Sequence, residues 1–364
     1  MSTIMFKCPS CGGYLEFDAQ LQKFKCLYCG QSLSQEELEK ESARREEEAD
    51  ERQAQEPCET GAGEGSASGE GSAGQPMRGY NCQMCGAQII TGATTAATRC
   101  YYCHSPVVLH DRLDDDFRPD GVVPFVLDKE TAQARFMDYI RRKKFVDRRF
   151  FDEGQLEMFS GVYYPYWYFD VEGEADFEGQ GTRRSVATTS NYIITTTRYF
   201  AVSRRAKLAF RDVARKALTD LDAKLSDGIH PYDPAGVKPY ASGYLSGFLA
   251  EMRDTDADAV KGGVLQELQG YADSLIRRNH TFHGLQGSTT FRSGEVKKRY
   301  ILLPVWVLTW KGGKDGAPYY YLMNGQSGKV CGKLPVSKGK LWAWALGLGV
   351  AVAGILTLGG MLLW

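Results

Sequence analysis

The sequence predicts a multi-domain chain with two small cysteine-rich β modules, an α+β central domain and one C-terminal transmembrane helix. Three observations predict this organisation: four Cys-x-x-Cys pairs fall in two short windows, residues 120–336 alternate strand-like and helix-like segments, and residues 341–364 carry no charge. A length of 364 residues suits two or three domains, and 43% hydrophobic residues can form at least one core. The net charge of -1 gives no overall basic excess of the kind that nucleic-acid-binding proteins often carry.

Eight of the ten cysteines form two copies of one spacing. In each copy a Cys-x-x-Cys pair is followed, after fourteen residues, by a second pair; the copies are Cys8, Cys11, Cys26 and Cys29, and Cys82, Cys85, Cys100 and Cys103. Zinc prefers four ligands in a tetrahedron, and a Cys-x-x-Cys turn presents two thiolates to one side of the ion. A glycine after the first pair, Gly12 or Gly86, permits the sharp turn. The spacing predicts two zinc ribbons, residues 1–33 and 80–110, each holding one structural zinc ion.

Other chemistry for these thiols fits the spacing less well. A redox dithiol needs only one Cys-x-x-Cys pair, and common ferredoxin runs lack the even two-plus-two arrangement. His104 follows Cys103 directly and is expected to be a bystander, because four cysteines complete the zinc shell. Cys58 and Cys331 have no neighbouring cysteine and are expected to be free thiols. The N-terminus has no signal-peptide pattern, which predicts a reducing, cytoplasmic location for both ribbons.

Residues 34–79 connect the two ribbons and change composition halfway. Residues 34–56 are rich in charged helix formers of both signs, and Ser34 with Glu37 fits a capping box. Residues 57–79 are a Gly/Ser-rich stretch typical of flexible linkers. We expect a solvated charged helix followed by a linker, with a docking helix for a partner protein as the alternative.

The central domain, residues 120–336, alternates predicted strands and helices. The predicted strands are Val122–Leu127, Gly161–Asp170, segments within 171–200, Thr289–Phe291, Tyr300–Trp310, Tyr319–Met323 and Lys329–Leu334. The predicted helices are Lys129–Lys144 with Asp128 as N-cap, Ser203–Leu225, Ser242–Met252 and Asp256–Arg278. Asn324-Gly325 predicts a tight turn, and Pro165 favours an edge or a bulge for its strand.

A second, weaker repeat lies inside this domain. Tyr163–Phe169 resembles Leu302–Leu308, with Pro165 matching Pro304 and Trp167 matching Trp306. The repeat predicts two related β-rich halves separated by helices. Its aromatic residues are expected to form core, with a base-stacking or ligand-binding surface as the alternative.

Motifs for catalysis are weak in this sequence. His280 and His283 have no acidic or cysteine partner at a convincing spacing, so surface histidines are expected. Gly325–Lys329 resembles part of a phosphate loop, but that motif needs glycine where Met323 stands and serine or threonine where Val330 stands. No nucleophile elbow or zinc-protease motif is present in the sequence. The chain is therefore predicted to be non-enzymatic.

Residues 341–364 predict a transmembrane helix. At about 1.5 Å per residue this uncharged run is long enough to cross a hydrocarbon core of about 30 Å. Trp342, Trp344 and Trp364 lie at its ends, as in an interfacial belt, and four lysines precede it. The alternative, a buried core helix, has to be apolar on every face. We expect a single-pass tail anchor in the cell membrane, with the N-terminal domains in the cytoplasm.

The order of these parts resembles a family of bacterial TFIIB-type zinc-ribbon membrane proteins, the YdjG-like proteins. The resembling segments are Cys8–Cys29, Val162–Asp170, Leu303–Trp310 and residues 323–340, which lead into the anchor. Some members are membrane adaptors associated with envelope-stress proteins of the PspA and SPFH types, and others carry the label of a PriA-like helicase. The resemblance implies a scaffold that recruits soluble partners to the membrane.

Together these features predict a membrane-anchored zinc-binding adaptor that recruits cytoplasmic partner proteins in envelope stress. The expected partners are cytoplasmic and membrane proteins, including PspA- or SPFH-type scaffolds, and the lipid bilayer through the C-terminal helix. The alternative is a membrane-tethered nucleic-acid-binding zinc-ribbon protein. Its electrostatic basis is limited, because Arg99 is the only basic residue between Cys82 and Cys103.

Overall fold

The computed structural model combines a small N-terminal sheet, a large central sheet and one long C-terminal helix. It describes residues 3–4, 6–38, 40–41, 78–81, 88–91, 94–99, 106–109, 117–143, 145, 159–219, 221–278, 282–310, 319–332 and 337–362. The small sheet carries the first cysteine cluster, and the large sheet contains eleven strands. The coarse organisation predicted from the sequence is therefore confirmed.

The strands differ greatly in length. In chain order they are β1 Thr3–Ile4, β2 Leu15–Asp18, β3 Lys23–Cys26, β4 Ser32–Leu33, β5 Arg78–Asn81, β6 Gln88–Thr91, β7 Thr95–Arg99, β8 Pro106–Leu109, β9 Gly121–Val122, β10 Phe159–Thr188, β11 Ile193–Lys216, β12 Lys238–Pro239, β13 Leu249–Glu251, β14 Gly284–Trp310, β15 Tyr319–Asn324 and β16 Val330–Gly332. Three of them, β10, β11 and β14, have 30, 24 and 27 residues. These three strands give the central sheet its length.

The helices cover and extend the sheet. They are α1 Lys129–Arg141, α2 Ala223–Gly228, α3 Ala257–Arg277 and α4 Lys338–Leu362, with 3₁₀ turns at Pro234–Gly236 and Ser242–Leu245. Asp128 caps α1, because its side chain accepts a hydrogen bond from the Thr131 N–H. The buried side chains of α1 and α3 recur at intervals of four or seven residues, as expected for helices with one face on a core.

The large sheet is built around the antiparallel pair of β10 and β14. From one edge its order is β1-β8-β7-β13-β10-β14-β15-β16, and β11 pairs with β10 beyond the end of β13. The short strands β13 and β9 run parallel to β10 and β14, respectively, and β12 pairs with β9. The strands of the small sheet are β2, β3 and β4, and β5 pairs with β6 alone.

An approximate two-fold axis relates the two halves of the central sheet and passes near the paired residues Tyr164 and Leu303. In each half a short strand precedes a helix, a long strand and an antiparallel neighbour, in the series β9-α1-β10-β11 and β13-α3-β14-β15. Each short strand pairs with the long strand of the other half. The two halves are therefore intertwined and share a core.

Matching hydrogen bonds support this symmetry. The Trp167 indole N–H donates to the Thr255 carbonyl at 2.9 Å, and the Trp306 indole N–H donates to the Leu127 carbonyl at 3.2 Å. Thr255 and Leu127 each precede the aspartate that begins a helix. The weak sequence repeat thus corresponds to two equivalent positions, at which each tryptophan contacts the start of the other half's helix.

The strand that contains Pro165 is central, so the predicted edge position is wrong, and the irregularity in its pairing lies between Phe169 and Val171, away from the proline. β14 pairs with it on one side, while on the other side β13 ends opposite Tyr163 and β11 begins to pair at Tyr166. Pro165 lies in the gap between these two neighbours, where no strand needs its missing N–H. Pro304 occupies the equivalent gap between β9 and β15.

The predicted helix Ser203–Leu225 is wrong. Most of it belongs to β11, and the helical segment is Ala223–Gly228. From Val202 to Phe210 the exposure of the side chains alternates, with every second residue partly buried. This period of two is typical of a half-buried strand and outweighs the wider leucine spacing that suggested a helix.

The predicted helix Ser242–Met252 is also wrong, because the segment is a 3₁₀ turn followed by β13. Gly247, with φ of 93°, interrupts any continuous helix there. The predicted strand Val122–Leu127 is shortened to β9, Gly121–Val122.

Elements with strong local signals are confirmed. The predicted helices Lys129–Lys144 and Asp256–Arg278 correspond to α1 and α3, and β15 and β16 form the hairpin expected around Asn324. The capping box is present: the Ser34 N–H donates to Glu37 Oε2 at 2.7 Å and the Glu37 N–H donates to Ser34 Oγ at 3.3 Å. The backbone hydrogen bond from Ser34 holds the pKa of Glu37 below its usual value. Residues 42–77 of the predicted connector lie outside the described residues.

The C-terminal helix α4 contains a candidate membrane span. Within the described residues, Gly339–Thr357 is long and apolar enough to cross a bilayer, and none of it is buried against the protein. The helix begins beside Phe145, whose carbonyl accepts a hydrogen bond from the Ser337 N–H at 2.7 Å and whose ring contacts Trp344 edge-on. A single candidate span of this kind is consistent with membrane anchoring.

Candidate metal centre

Two equivalent turns carry the cysteines of the first cluster. In the first turn the Gly12 N–H donates to the Cys8 carbonyl, and in the second the Gly30 N–H donates to the Cys26 carbonyl, both at 2.9 Å. Gly12 and Gly30 have φ of 70° and 77°, a left-handed conformation that favours glycine. Each turn therefore holds its two thiols on the same side of the chain.

The four sulfur atoms have the spacing that a tetrahedral metal ion needs. The ligand atoms of Cys8, Cys11, Cys26 and Cys29 all lie within 4.8 Å of one another. The Cys8 and Cys29 sulfurs are 3.6 Å apart, and those of Cys11 and Cys26 are 3.4 Å apart. Metal–sulfur bonds of about 2.3 Å in a regular tetrahedron place the sulfurs about 3.8 Å apart. Because a disulfide bond is only about 2.05 Å long, these are free thiols arranged around one common point.

The protonation of the cluster is uneven. Burial opposes ionisation of Cys26, but the backbone N–H groups of Cys29 and Tyr28 outweigh it and lower the Cys26 pKa to about 7. At Cys11 the backbone contact from Gly13 favours the thiolate, but the thiols of Cys26 and Cys29 oppose it, and the Cys11 pKa rises to about 12. Four thiolates so close together repel one another, so a bound cation is needed to keep all of them ionised.

The cluster sheet packs on the central domain. The Phe17 and Phe24 rings both contact Tyr244, with centroids 5.1 and 5.9 Å away, and all three side chains are buried. The Phe17 N–H donates to the Ser246 carbonyl at 3.1 Å. On another side of the small sheet, the Gln22 side chain donates a hydrogen bond of 2.7 Å to the carbonyl of Phe125, which precedes α1. The first cysteine module is therefore part of the main core.

The strands next to the second cluster also reach the first module. β1 pairs with β8, and the Arg99 side chain of β7 forms a salt bridge with Glu16 of β2 at 3.0 Å. Arg99 also donates to the Gly247 carbonyl at 2.8 Å. Segments from both cysteine modules thus meet on the same part of the central sheet.

The second predicted ligand set lies outside the described residues. This set consists of Cys82, Cys85, Cys100 and Cys103. Cys58 and His104 also lie outside the described residues. The flanking strands are described: β5 pairs with β6 on either side of the first pair, and β7 pairs with β8 on either side of the second. In the sequence, each of these cysteine pairs lies between two strands that pair with each other.

The remaining candidate residues have structural surroundings. Cys331 is a half-buried free thiol in β16 whose sulfur lies 3.7 Å from the Lys224 carbonyl oxygen. His283 accepts a hydrogen bond from the Arg184 N–H through Nδ1 at 3.2 Å, and His280 lies outside the described residues. His230, which sequence reasoning did not single out, is packed between Tyr166 and Tyr232, and burial lowers its pKa.

Sequence reasoning missed the supporting residues of the cluster. Gly30 repeats the role of Gly12 and follows its cysteine pair in the same way, so the sequence contained that signal. Tyr244 and Ser246 lie more than two hundred residues from the module that they contact. No local pattern marks such a long-range contact.

Comparison with known proteins gives one relative for the whole chain. No family model matches the sequence, and no solved structure matches it significantly. A protein of Bacillus subtilis (strain 168), named as uncharacterized protein YdjG, is 30% identical over 349 residues, which cover 95% of this chain and 94% of the relative. Since the match covers nearly the whole of both chains at this identity, the chain belongs to the same family as YdjG.

Proposed function

We propose that this protein is a membrane-anchored zinc-binding adaptor that recruits cytoplasmic partner proteins to the membrane. One observation carries the proposal: a four-cysteine site lies on a small sheet that packs on the core of the central domain, and an exposed apolar helix begins beside the same domain. Such a chain presents a rigid surface at a fixed membrane location. The adaptor is non-enzymatic, and the metal stabilises the surface.

Zinc is the proposed metal at both cysteine clusters, as two structural ions. Four thiolates at tetrahedral spacing select zinc or iron–sulfur chemistry. Two Cys-x-x-Cys pairs that share one ion are typical of structural zinc sites with a closed ligand shell. The second cluster repeats the cysteine spacing of the first, which supports a second zinc ion.

The proposed location is the cell membrane, with one span and the N-terminal domains in the cytoplasm. The lysines before α4 favour the cytoplasmic side for that end of the helix. Reduced thiols at the cluster fit a reducing compartment. The family resemblance gives PspA- and SPFH-type scaffolds as candidate partners and envelope stress as the setting.

The test is affinity purification of the full-length chain from native membranes, with metal content and co-purifying proteins measured together. Cys11→Ser and Cys82→Ser each disable one cluster, and Cys331→Ser serves as the matched control because Cys331 lies outside both. We expect two zinc ions per chain in the wild type and the control, and one in each cluster variant. Partner proteins should be lost from at least the Cys11→Ser variant and retained in the control.

The competing function is a membrane-tethered nucleic-acid-binding protein. If the same purification yields nucleic acid in place of partner proteins, and a DNA or RNA affinity that falls steeply with salt, the adaptor function is refuted. Recovery of partner proteins without bound nucleic acid supports the adaptor function.

A further inference from the structure

The β10–β11 hairpin ends in a two-stranded ribbon, residues 183–198, that projects beyond the rest of the sheet. β14 begins at Gly284, opposite Thr182. Beyond that point β10 and β11 pair with each other, from Arg183 opposite Arg198 to Thr188 opposite Ile193. Residues 183–196 are all exposed. Both faces of the ribbon are therefore accessible.

The tip of the ribbon is apolar. Val186, Tyr192, Ile193 and Ile194 are 61%, 73%, 73% and 53% exposed. By the strand register, Val186 and Ile193 lie on one face of the ribbon and Ile194 lies on the other. Clustered apolar side chains on a projecting element indicate an interaction surface, since isolated exposed residues do not form such a group.

The base of the ribbon is basic, and the surrounding sequence contains no acidic residue. Residues 179–211 include no aspartate or glutamate. Arg183 lies directly opposite Arg198, an arrangement of like charges that destabilises a strand pair by itself. The Arg183 guanidinium lies over the rings of Phe200 and Phe282, 5.5 Å from each centroid, and is thereby held in place. These cations favour an anionic partner.

Arginines closer to the domain have internal partners. Asp176 forms salt bridges with Arg205 and Arg292, and Glu172 pairs with Arg211. These salt bridges end before the ribbon leaves the domain, because the last acidic residue of β10 is Glu178. Among the residues that the structure describes, Arg184 and Arg198 of the projecting part form no salt bridge with an acidic side chain.

The ribbon lies at the opposite end of β10 from the start of α4, which disfavours the anchoring bilayer as its partner. The ring of Phe136 in α1 contacts Phe159 at the start of β10, and α4 begins near the residues that follow α1. The ribbon lies at the other end of β10, whose 30 residues span about 100 Å at about 3.3 Å each. If β10 runs perpendicular to the membrane, the tip of the ribbon therefore lies far from the membrane surface.

The composition of the ribbon also distinguishes between its other possible binding partners. A second copy of the ribbon is disfavoured, because it brings the same positive charge. Phosphate groups can pair with the arginines but cannot cover the apolar tip. An apolar groove bordered by carboxylates satisfies both parts of the ribbon, and aromatic residues and arginine are the types enriched at protein interfaces.

We propose that the ribbon is the docking arm for an acidic partner protein. An apolar groove of that partner takes Ile193 and Ile194, and its carboxylates pair with Arg184 and Arg198. The proposal rests on the adaptor function and names the surface that performs the recruitment.

The test places a photo-reactive benzoylphenylalanine at Tyr192 of the full-length chain in native membranes. After irradiation, the attached peptides are identified by mass spectrometry. The proposal predicts attachment to a partner segment rich in aspartate and glutamate. The yield should fall at least tenfold in R184Q/R198Q and in I193S/I194S, and by a similar factor in high salt. R211Q, which removes a charge from the same strand that Glu172 already neutralises, should leave the yield unchanged.

Attachment mainly to lipid, nucleic acid or a second copy overturns the proposal, as does a yield that R184Q/R198Q does not change. Absence of any adduct overturns it too, provided that the melting temperature matches the wild type. Parallel purification of the same samples separates this failure from failure of the adaptor function. If zinc-dependent partners are recovered but none attaches at position 192, the ribbon proposal fails and the adaptor function stands.

Discussion

Replacing Phe24 by alanine tests whether the first cysteine module and the central domain share one core. Phe24 is 1% exposed, and its ring contacts Phe17 at 5.4 Å and Tyr244 at 5.9 Å. Truncating a buried phenylalanine to alanine costs about 3–5 kcal/mol of stability, including the cavity that it leaves. Since Tyr244 belongs to the central domain, part of this loss has to appear there.

Hydrogen–deuterium exchange of the full-length protein measures this loss region by region. If opening of the segment around Tyr244 requires release of the cysteine module, a loss of about 3 kcal/mol speeds exchange there on the order of 100-fold. Leu27→Ala is the matched control, because Leu27 lies in the same module but is 55% exposed. We expect the control to leave exchange around Tyr244 unchanged.

One outcome would show that the module and the central domain do not share a core. If F24A accelerates exchange within residues 6–33 and leaves residues 240–251 at the wild-type rate, the module is an independent unit on a tether. The contacts of Phe17 and Phe24 with Tyr244 then contribute nothing to coupling.

Three further predictions concern the metal, the two-fold symmetry and pH. Removing the metal with a chelator should unfold the first module and lower the melting temperature, and adding zinc should restore both. The reason is that structural zinc contributes about 10–16 kcal/mol to the folding of small modules. Calorimetry with and without chelator measures this effect, and an unchanged melting curve contradicts it. Trp167→Phe and Trp306→Phe each remove one equivalent hydrogen bond, worth about 0.5–1.5 kcal/mol, together with the packing that the smaller ring loses. Both variants should lower the free energy of unfolding in urea titrations, and a variant that leaves it unchanged contradicts the equivalent role of the two tryptophans. Burial lowers the pKa of His230, so the unfolded state binds the proton more tightly and the free energy of unfolding should fall as the pH drops below about 6.5. In urea titrations from pH 5 to 8, His230→Gln should reduce the dependence of the unfolding free energy on pH. If the variant does not change this dependence, it arises from other groups.

The sequence predicted best where the signal is local. Asp128 and the apolar spacing after it are enough to place α1, and the four cysteines with Gly12 are enough to place the first cluster. Both depend on contacts within about one turn or one hairpin. The proline and tryptophan positions also revealed the internal repeat, because the same contacts recur in both halves.

Long-range pairing was much harder to predict. The segment Ser203–Leu225 has apolar residues compatible with two periods, and the pairing of β11 with β10 decides between them. The intertwining of β9 and β13 with the opposite halves has no local signature. The contact of the first module with Tyr244 was not predicted, because it joins parts of the chain that are far apart in the sequence.

The most direct test of the adaptor function is the membrane-bound fraction of a recruited partner protein, measured by fractionation of the native cell. We compare the wild type with Cys11→Ser, which disables the first cluster, with a chain that ends before α4, and with the control Cys331→Ser. The adaptor function predicts that the partner is at the membrane in the wild type and the control, and moves to the soluble fraction when α4 is removed or when the first cluster cannot bind metal. A partner that stays at the membrane in both of these variants contradicts it.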